Sequence, residues 1–523
     1  MGGIALLLAA ASVGFGAARA LRIPPLPVLM IAGLGLARLG LVPDEFLEET
    51  LILGVTFLLF VTGTELSPRR TRGQRGAALR VGVVQFVGLG LAGVAAGFAL
   101  GWDPVTTGYL ALALTASSTV VAVRLLRQRR RFYEPHGRLV IGVLLLQDLL
   151  VILLIPLITR APDGAGAVLV GLGYVGVLLA AAWIAWRWVA PRLARLDGDD
   201  EALLLATLGT LAVFIGVAAW LDLPILVGAF LAGVALSGFP TSGLVRPLLE
   251  SIGDFFSAIF YTALGALLGG ATGLELAQAI ALAALVVLVT PPLVAWMAER
   301  AGLATRPAVE SGLLLAQTSE ISLVVGLYAM VEGQITGSAF TVIGLTTLIT
   351  MLLAPLLSTD RVAWALVRLR PTRGGVRPLP ELTGHVVVLG SGETGLPLLE
   401  TLLGADCGVV VVDDDPAVVE RLREADLHVL RGDAGDVEVL KRAHVREARV
   451  ITSTIRRPED NLRILRFLPG VPFIARVFER DDAERIRALG GTPVLYSEAA
   501  AENLLEWFDR ALGPAASRAD PGT

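Results

Sequence analysis

Leu144-Leu145-Leu146-Gln147-Asp148-Leu149-Leu150-Val151-Ile152 is an apolar run interrupted by one amide and one carboxylate, with apolar residues continuing for many positions on both sides. Such a run reads as a membrane helix, because about 20 predominantly apolar residues cover the hydrocarbon core of a bilayer. A charged side chain at that depth costs roughly 2.5–3.5 kcal/mol on insertion scales. Asp148 is therefore, by default, a proton or ion site.

Composition agrees with a membrane protein. Of 523 residues, 54% are hydrophobic and the mean hydropathy is +0.72. Soluble chains lie near ~45–50% apolar even with glycine counted. The excess is uneven: residues 1–358 are dominated by apolar runs, and 381–523 have an ordinary soluble balance. The expected division is a transmembrane domain at 1–358, a basic linker at 359–380, a soluble domain at 381–500 and a tail at 501–523, disordered after about Ala516. The linker's Arg361, Arg368, Arg370, Arg373 and Arg377 suit anionic headgroups or a solvated hinge. The net charge of −4 says little, because the charges are segregated. One cysteine, Cys407, excludes a disulfide framework. His136, His385, His428 and His444 have no metal spacing. No nucleophile–base constellation is visible, so neither an enzyme nor a nucleic-acid partner is expected. Residues 4–17 followed by Ala18-Arg19-Ala20 mimic a cleaved signal, but no basic region precedes them. They read as the first membrane helix.

Thirteen candidate spans are centred near Ala11, Gly33, Val55, Gly90, Thr115, Leu149, Leu178, Leu211, Ala229, Ala263, Ala284, Val324 and Leu348. With the N-terminus outside, the inner loops hold Arg69, Arg70, Arg72 and Arg75, then Arg124, Arg127 and Arg129–Arg131, then Arg187, Arg192 and Arg195. Only Arg38 and Arg160 fall outside. That asymmetry is what the positive-inside rule expects. It places the C-terminal domain in the cytoplasm and the chain in the cytoplasmic membrane as a multi-pass protein.

A desolvated carboxylate has a raised pKa and can hold a proton or a hard cation, one at a time. Exclusion of one by the other at Asp148 is the simplest chemistry of an antiporter. Gln147 can add a neutral carbonyl ligand. Ser117, Ser118 and Thr119 lie mid-span in the fifth helix, and Gln317-Thr318-Ser319-Glu320 mid-span in the twelfth. Polar clusters at mid-depth fit unwound helices whose freed groups coordinate a cation. Glu320 is read as balancing the dipoles of a broken helix. Glu65, closing the third helix beside Arg69–Arg75, is read as a structural ion pair.

From His385 the pattern changes to short strands alternating with helices, the mark of a doubly wound parallel sheet. Gly390-x-Gly392-x-x-Gly395 follows a strand and opens a helix, and Asp413 ends the next strand. That is the context a dinucleotide fingerprint requires, with Asp413 placed for ribose hydroxyls. Glu393 opposes a pyrophosphate there.

Several segments resemble the monovalent cation:proton antiporter-2 family, and within it the Kef-type potassium-efflux antiporters. They are Leu58–Leu66, Ser117–Thr119, Leu146-Gln147-Asp148, Val227–Gly233 and Leu315–Glu320. The soluble part, including Gly432-Asp433-Ala434, resembles the N-terminal half of RCK (TrkA-N) domains. The likeness covers nearly the whole chain. It implies a polytopic α-helical membrane domain with about 13 transmembrane helices in an inverted-repeat antiporter fold, followed by an α/β Rossmann-like RCK domain. It also implies a homodimer whose core domain moves against a dimerisation domain. Asp148 would carry the proton or cation, with Gln147 and Ser117–Thr119 as ligands. Gly390, Gly392, Gly395, Asp413 and Asp433 would hold NAD(H) or an adenine nucleotide. Thr318-Ser319 replaces the family's commoner Gly-Gly, and Glu393 stands where many RCK domains have arginine.

The expected function is exchange of a monovalent cation for H+ under control of the soluble domain. K+ is favoured because the resemblance pairs Asp148 with Gln147 rather than a second aspartate, which also suggests electroneutral exchange. Na+/H+ exchange is the nearest alternative. An RCK-gated channel is disfavoured by the lack of a carbonyl-filter sequence. A membrane-anchored oxidoreductase is disfavoured by the lack of a substrate domain.

Overall fold

The computed structural model describes residues 2–21, 24–39, 44–65, 75–129, 131–132, 134–193, 200–237, 245–368, 382–391, 395–404, 408–468 and 470–512. The chain divides into two compact units, Met1–Ala301 with Pro307–Leu369, and Gly302–Arg306 with Arg370–Thr523.

The first unit is helical. α1 (Gly2–Leu21), α2 (Pro25–Arg38), α3 (Asp44–Glu65) and α4 (Arg75–Ala99) precede a broken span made of α5 (Pro104–Thr115) and α6 (Thr119–Gln128). α7 (Pro135–Arg160) carries Asp148. α8 (Ala165–Ile184) passes through a π-helical turn, Ala185–Val189, into α9 (Ala190–Leu193). α10 (Asp200–Trp220), α11 (Ile225–Leu236), α12 (Val245–Leu267) and α13 (Gly273–Arg300) lead to a second broken span, α14 (Thr305–Leu315) and α15 (Glu320–Val331). α16 (Gly337–Leu357) follows, and α17 (Asp360–Arg368) occupies the first part of the expected linker as a helix. The rest of that linker, and the tail beyond Leu512, lie outside the described residues.

Among the described residues, eight helical stretches are long and apolar enough to cross a membrane. Five further apolar helices accompany them: α1, α3 and α12 run 20, 22 and 23 residues, whereas α2 and α11, at 14 and 12 residues, fall short of the ~20 residues of a full crossing. Each of the expected span centres falls in one of these stretches.

The two halves of this unit follow one plan. Pro24 caps α2 and Pro224 caps α11, and nine residues beyond each lies a glycine, Gly33 and Gly233. A Cβ on Gly233 would overlap the Phe60 carbonyl oxygen, and one on Gly63 that of Phe230. Hence α3 and α11 cross backbone against backbone. The counterpart is the crossing of α2 and α12, where Gly33 meets the Thr262 carbonyl and Gly265 that of Met30. Close approach of this kind suits a bilayer interior, where helices associate through packing rather than hydrophobic expulsion. The breaks obey the same offset: α5 ends at Thr115 and α14 at Leu315.

The second unit is a six-stranded parallel sheet of order β3-β2-β1-β4-β5-β6, built from β1 (Val386–Leu389), β2 (Val409–Asp413), β3 (His428–Arg431), β4 (Val450–Ser453), β5 (Phe473–Val477) and β6 (Thr492–Leu495). The connecting helices are α18 (Gly395–Gly404), α19 (Pro416–Glu424), α20 (Val437–Arg442), α21 (Pro458–Phe467) and α22 (Arg480–Ala488), with α23 (Tyr496–Leu512) at the end. β1 and the first four residues of β2 are unbroken valine and leucine runs because both faces of the sheet are covered by apolar clusters. β6 was not legible as a strand. Its Pro493 is accommodated because β6 is an edge. The residues expected as a tail from 501 are helical to Leu512.

Candidate functional site: a buried carboxylate between two broken helices

The site in the first unit begins with a gap in the backbone. Ala116 and Ser118 are extended rather than helical, and α6 restarts at Thr119 with Ser118 as N-cap, its hydroxyl accepting from the Val121 N–H. Hydroxyl residues at this point compete for backbone groups and favour a cap over continuation. Ser319 does the same for α15 in a reciprocal box with Ser322. The Ser322 hydroxyl donates in turn to the Ala113 carbonyl of α5.

Asp148 is 1% exposed, and its Oδ2 accepts from the Thr119 hydroxyl at 3.0 Å. Thr119 opens α6, so the carboxylate faces a helix N-terminus, where the backbone dipoles favour negative charge. Glu320 is the first residue of α15 and 2% exposed. Each broken span therefore meets a carboxylate at its second start.

Amides and hydroxyls brace the gaps. Gln147 Oε1 accepts the Ser117 N–H at 3.1 Å. The Ser117 hydroxyl donates to the Leu315 carbonyl at 2.9 Å, tying the first gap to the end of α14. Gln85 of α4 donates from Nε2 to Ser117 Oγ at 3.3 Å. In the other half, Thr350 Oγ1 accepts the Thr318 N–H at 3.1 Å, and the Thr318 hydroxyl bonds Thr347 Oγ1 at 3.0 Å. Gln317 Nε2 donates to the Leu314 carbonyl at 3.1 Å.

Ser117, Ser118, Thr119, Gln147 and Asp148 thus come together, and Gln317 and Glu320 sit in the second gap. Glu65 ends α3, and its side chain lies outside the described residues, as do Arg69, Arg70 and Arg72. Gln85, Thr347 and Thr350 were missed by sequence reading. Gln85 had a signal: it is the one polar residue in the apolar stretch 81–99.

Two polar groupings flank the gaps. On the side of the α7 N-terminus, Arg131 pairs with Glu310 at 2.7 Å and with Asp360, on α17, at 2.9 Å. His136 lies 3.2 Å from Glu134 and 3.8 Å from Glu310, and Arg131, His136 and Glu310 are all buried. On the side of the α7 C-terminus, the Tyr109 hydroxyl donates to Gln334 Oε1 at 2.6 Å and lies 3.0 Å from Thr159 Oγ1. Thr159 and Gln334 also line a cavity of about 490 Å³ with Arg160, Asp222 and Glu332.

In the second unit, Gly390, Asp413 and Asp433 lie at or just past the carboxyl ends of β1, β2 and β3, where open α/β sheets bind ligands. Gly390 has φ +78°, which glycine alone adopts without strain. Asp413 Oδ2 accepts from the N–H and the hydroxyl of Ser391 at 2.6 and 2.9 Å, and Oδ1 from the Asp415 N–H at 2.9 Å. The aspartate expected to meet a ribose therefore also fixes the start of the glycine loop. Asp433 Oδ1 accepts from the Gly435 N–H at 2.8 Å. Gly395 opens α18, while Gly392 and Glu393 lie outside the described residues.

Comparison with known proteins follows the same division. The profile described as "Sodium/hydrogen exchanger, transmembrane" matches residues 4–359, and the TrkA-N domain profile matches 386–497. The Escherichia coli (strain K12) protein YbaL, provisionally named a cation/proton antiporter, is 25% identical over 516 residues, covering 92% of each chain. Among solved structures, the TrkA-N domain of the Escherichia coli inner membrane protein YbaL is 26% identical with a TM-score of 0.24, covering 24% of this chain and 98% of that one. The GsuK channel bound to NAD is 23% identical with a TM-score of 0.22, covering 42% of this chain and 40% of that one.

Proposed function

The chain belongs to the sodium/hydrogen exchanger family and carries a TrkA-N domain, and on that premise we propose that it exchanges K+ for H+ at Asp148 under nucleotide control. The observation that carries this is the Asp148 carboxylate, buried at the N-terminus of α6 beside an unwound backbone. Such a group binds a proton or a cation but not both. The protein alternates between the two, and a gradient of either drives the other. Asp148 is preceded by an amide, not a second acid, which supports one proton per monovalent cation and electroneutral exchange.

The proposed orientation has the N-terminus outside and the TrkA-N domain in the cytoplasm, supported by the arginine asymmetry of the loops. The cavity at Thr159, Asp222 and Glu332 is then the outer approach to the site. The proposed regulatory ligand is NAD(H) or an adenine nucleotide at Gly390, Asp413 and Asp433. A homodimer is the proposed working unit.

The test is proton flux in proteoliposomes holding the full-length protein, with a pH-sensitive dye inside and K+ or Na+ added outside. Flux driven by K+ and not Na+ supports the reading. Flux driven only by Na+ changes the substrate and keeps the mechanism. No flux with either ion, with and without NAD(H) or ADP, overturns it.

A further inference from the structure

Gln85 is wholly buried in α4, and its hydrogen bonding can be assigned atom by atom. The Ser117 hydroxyl has one proton, which goes to the Leu315 carbonyl, an acceptor only. Toward Gln85 the hydroxyl can therefore only accept, so the Gln85 NH2 faces Ser117 and Oε1 faces away. That Oε1 is buried and has no hydrogen-bond partner among the described residues. Gln147 is oriented the opposite way. A backbone N–H only donates, so the carbonyl oxygen of Gln147 faces Ser117 and its NH2 is left without a hydrogen-bond partner among the described residues.

The consequence is an exchange of roles between two glutamines on either side of Ser117. An NH2 group cannot ligate a cation, whereas an amide oxygen can. A buried amide oxygen with no donor has lost its water without a replacement partner, and a bound cation would supply the missing positive partner. Gln85 is joined through Ser117 to Gln147, the residue next to Asp148.

We propose that Gln85 supplies a neutral oxygen ligand to the transported cation, and that Gln147 chiefly holds the Ser117 backbone open. This rests on the exchange reading above. Gln85 then lowers the cation's desolvation penalty without adding charge, so it affects cation affinity and selectivity and leaves the proton step to Asp148.

The experiment compares full-length wild type with Gln85→Met and Gln85→Glu. Methionine keeps the volume and removes both polar atoms, and glutamate keeps an oxygen. In proteoliposomes, Gln85→Met should raise the K+ concentration for half-maximal proton flux about tenfold, with the maximal rate at saturating K+ within about twofold. At fixed K+ its pH optimum should move upward, because a weakly held cation is displaced by the proton at a lower proton concentration, already at higher pH. Gln85→Glu should keep half-saturation within about threefold of wild type and change the ratio of K+ to Na+ flux. An unchanged half-saturation in Gln85→Met, or a fallen maximal rate alone, would reduce Gln85 to a brace for Ser117 and overturn the proposal. A glutamate variant as weak as methionine overturns it too.

Thermal unfolding in detergent reads the site without flux. K+ should stabilise the wild type and Gln85→Glu more than Gln85→Met, and equal shifts in all three refute the ligand role. Loss of wild-type flux with this pattern intact would sink the exchange reading and leave Gln85 a cation ligand.

Discussion

Gln147 Oε1 accepts the backbone N–H of Ser117 at 3.1 Å, so the residue beside the buried aspartate holds open the gap that the aspartate faces. The second half has the same device in other chemistry. Thr350 Oγ1 accepts the Thr318 N–H at 3.1 Å. An unwound backbone at bilayer depth leaves N–H groups without helical partners, and each must be satisfied from a neighbouring span. These braces give the Ser117 and Thr318 N–H groups partners on neighbouring spans.

Asp148→Asn should abolish cation-coupled proton flux while leaving the thermal unfolding of the full-length protein close to wild type. Asparagine keeps an oxygen for the Thr119 hydroxyl but neither titrates nor carries charge. Coupled flux that persists in this variant removes Asp148 from the mechanism.

Gln147→Leu should destabilise the protein by about 1–3 kcal/mol, the penalty of leaving the Ser117 N–H buried and unmet. Thr350→Val should show a loss of similar size through the Thr318 N–H, without touching Asp148. Thermal unfolding of the two variants beside wild type is the measurement. Wild-type stability in both would mean that water satisfies these groups.

Arg131→Met should destabilise by about 3–5 kcal/mol, because it leaves the Glu310 carboxylate buried without the guanidinium 2.7 Å away. The double variant Arg131→Met, Glu310→Gln should recover much of that loss. A double-mutant cycle without coupling between the two positions would argue against the pair.

Asp413→Ala should weaken adenine-nucleotide binding measured by calorimetry on the full-length protein. Ser391→Ala removes one hydrogen bond to the same carboxylate and should have a smaller effect. Equal losses would assign Asp413 to shaping the loop, and unchanged affinity in both would move the ribose elsewhere.

Gly233→Ala should separate α3 from α11, because the added Cβ overlaps the Phe60 carbonyl oxygen. A loss of about 1–3 kcal/mol is expected from overpacking. Gly216→Ala on α10, where a Cβ meets nothing within 4 Å, is the control and should be neutral. If the two variants unfold alike, the α3–α11 crossing is not rigid.

The apolar runs around Asp148, the mid-span hydroxyls at Ser117–Thr119 and Thr318–Ser319, and the glycine turn after β1 could be read from residue order alone. Apolar length decides whether a segment suits a bilayer, caps act within four residues, and a left-handed turn needs glycine locally. β6 was hidden by its proline and α17 by the arginines and prolines around it. The 200-residue offset between Pro24 and Pro224 was visible in principle.

Only the tertiary structure decided that Gln85 donates to Ser117, that Thr350 repeats the work of Gln147, and that Arg131 joins α17 to Glu310. These partners lie 30 to 229 positions apart in sequence. Periodicity places a residue on a helix, but which faces of different helices meet depends on packing at glycines such as Gly63 and Gly233. Local pattern therefore specified the helices, their breaks and the titrating acid, while side-chain packing between spans chose which polar atoms surround it.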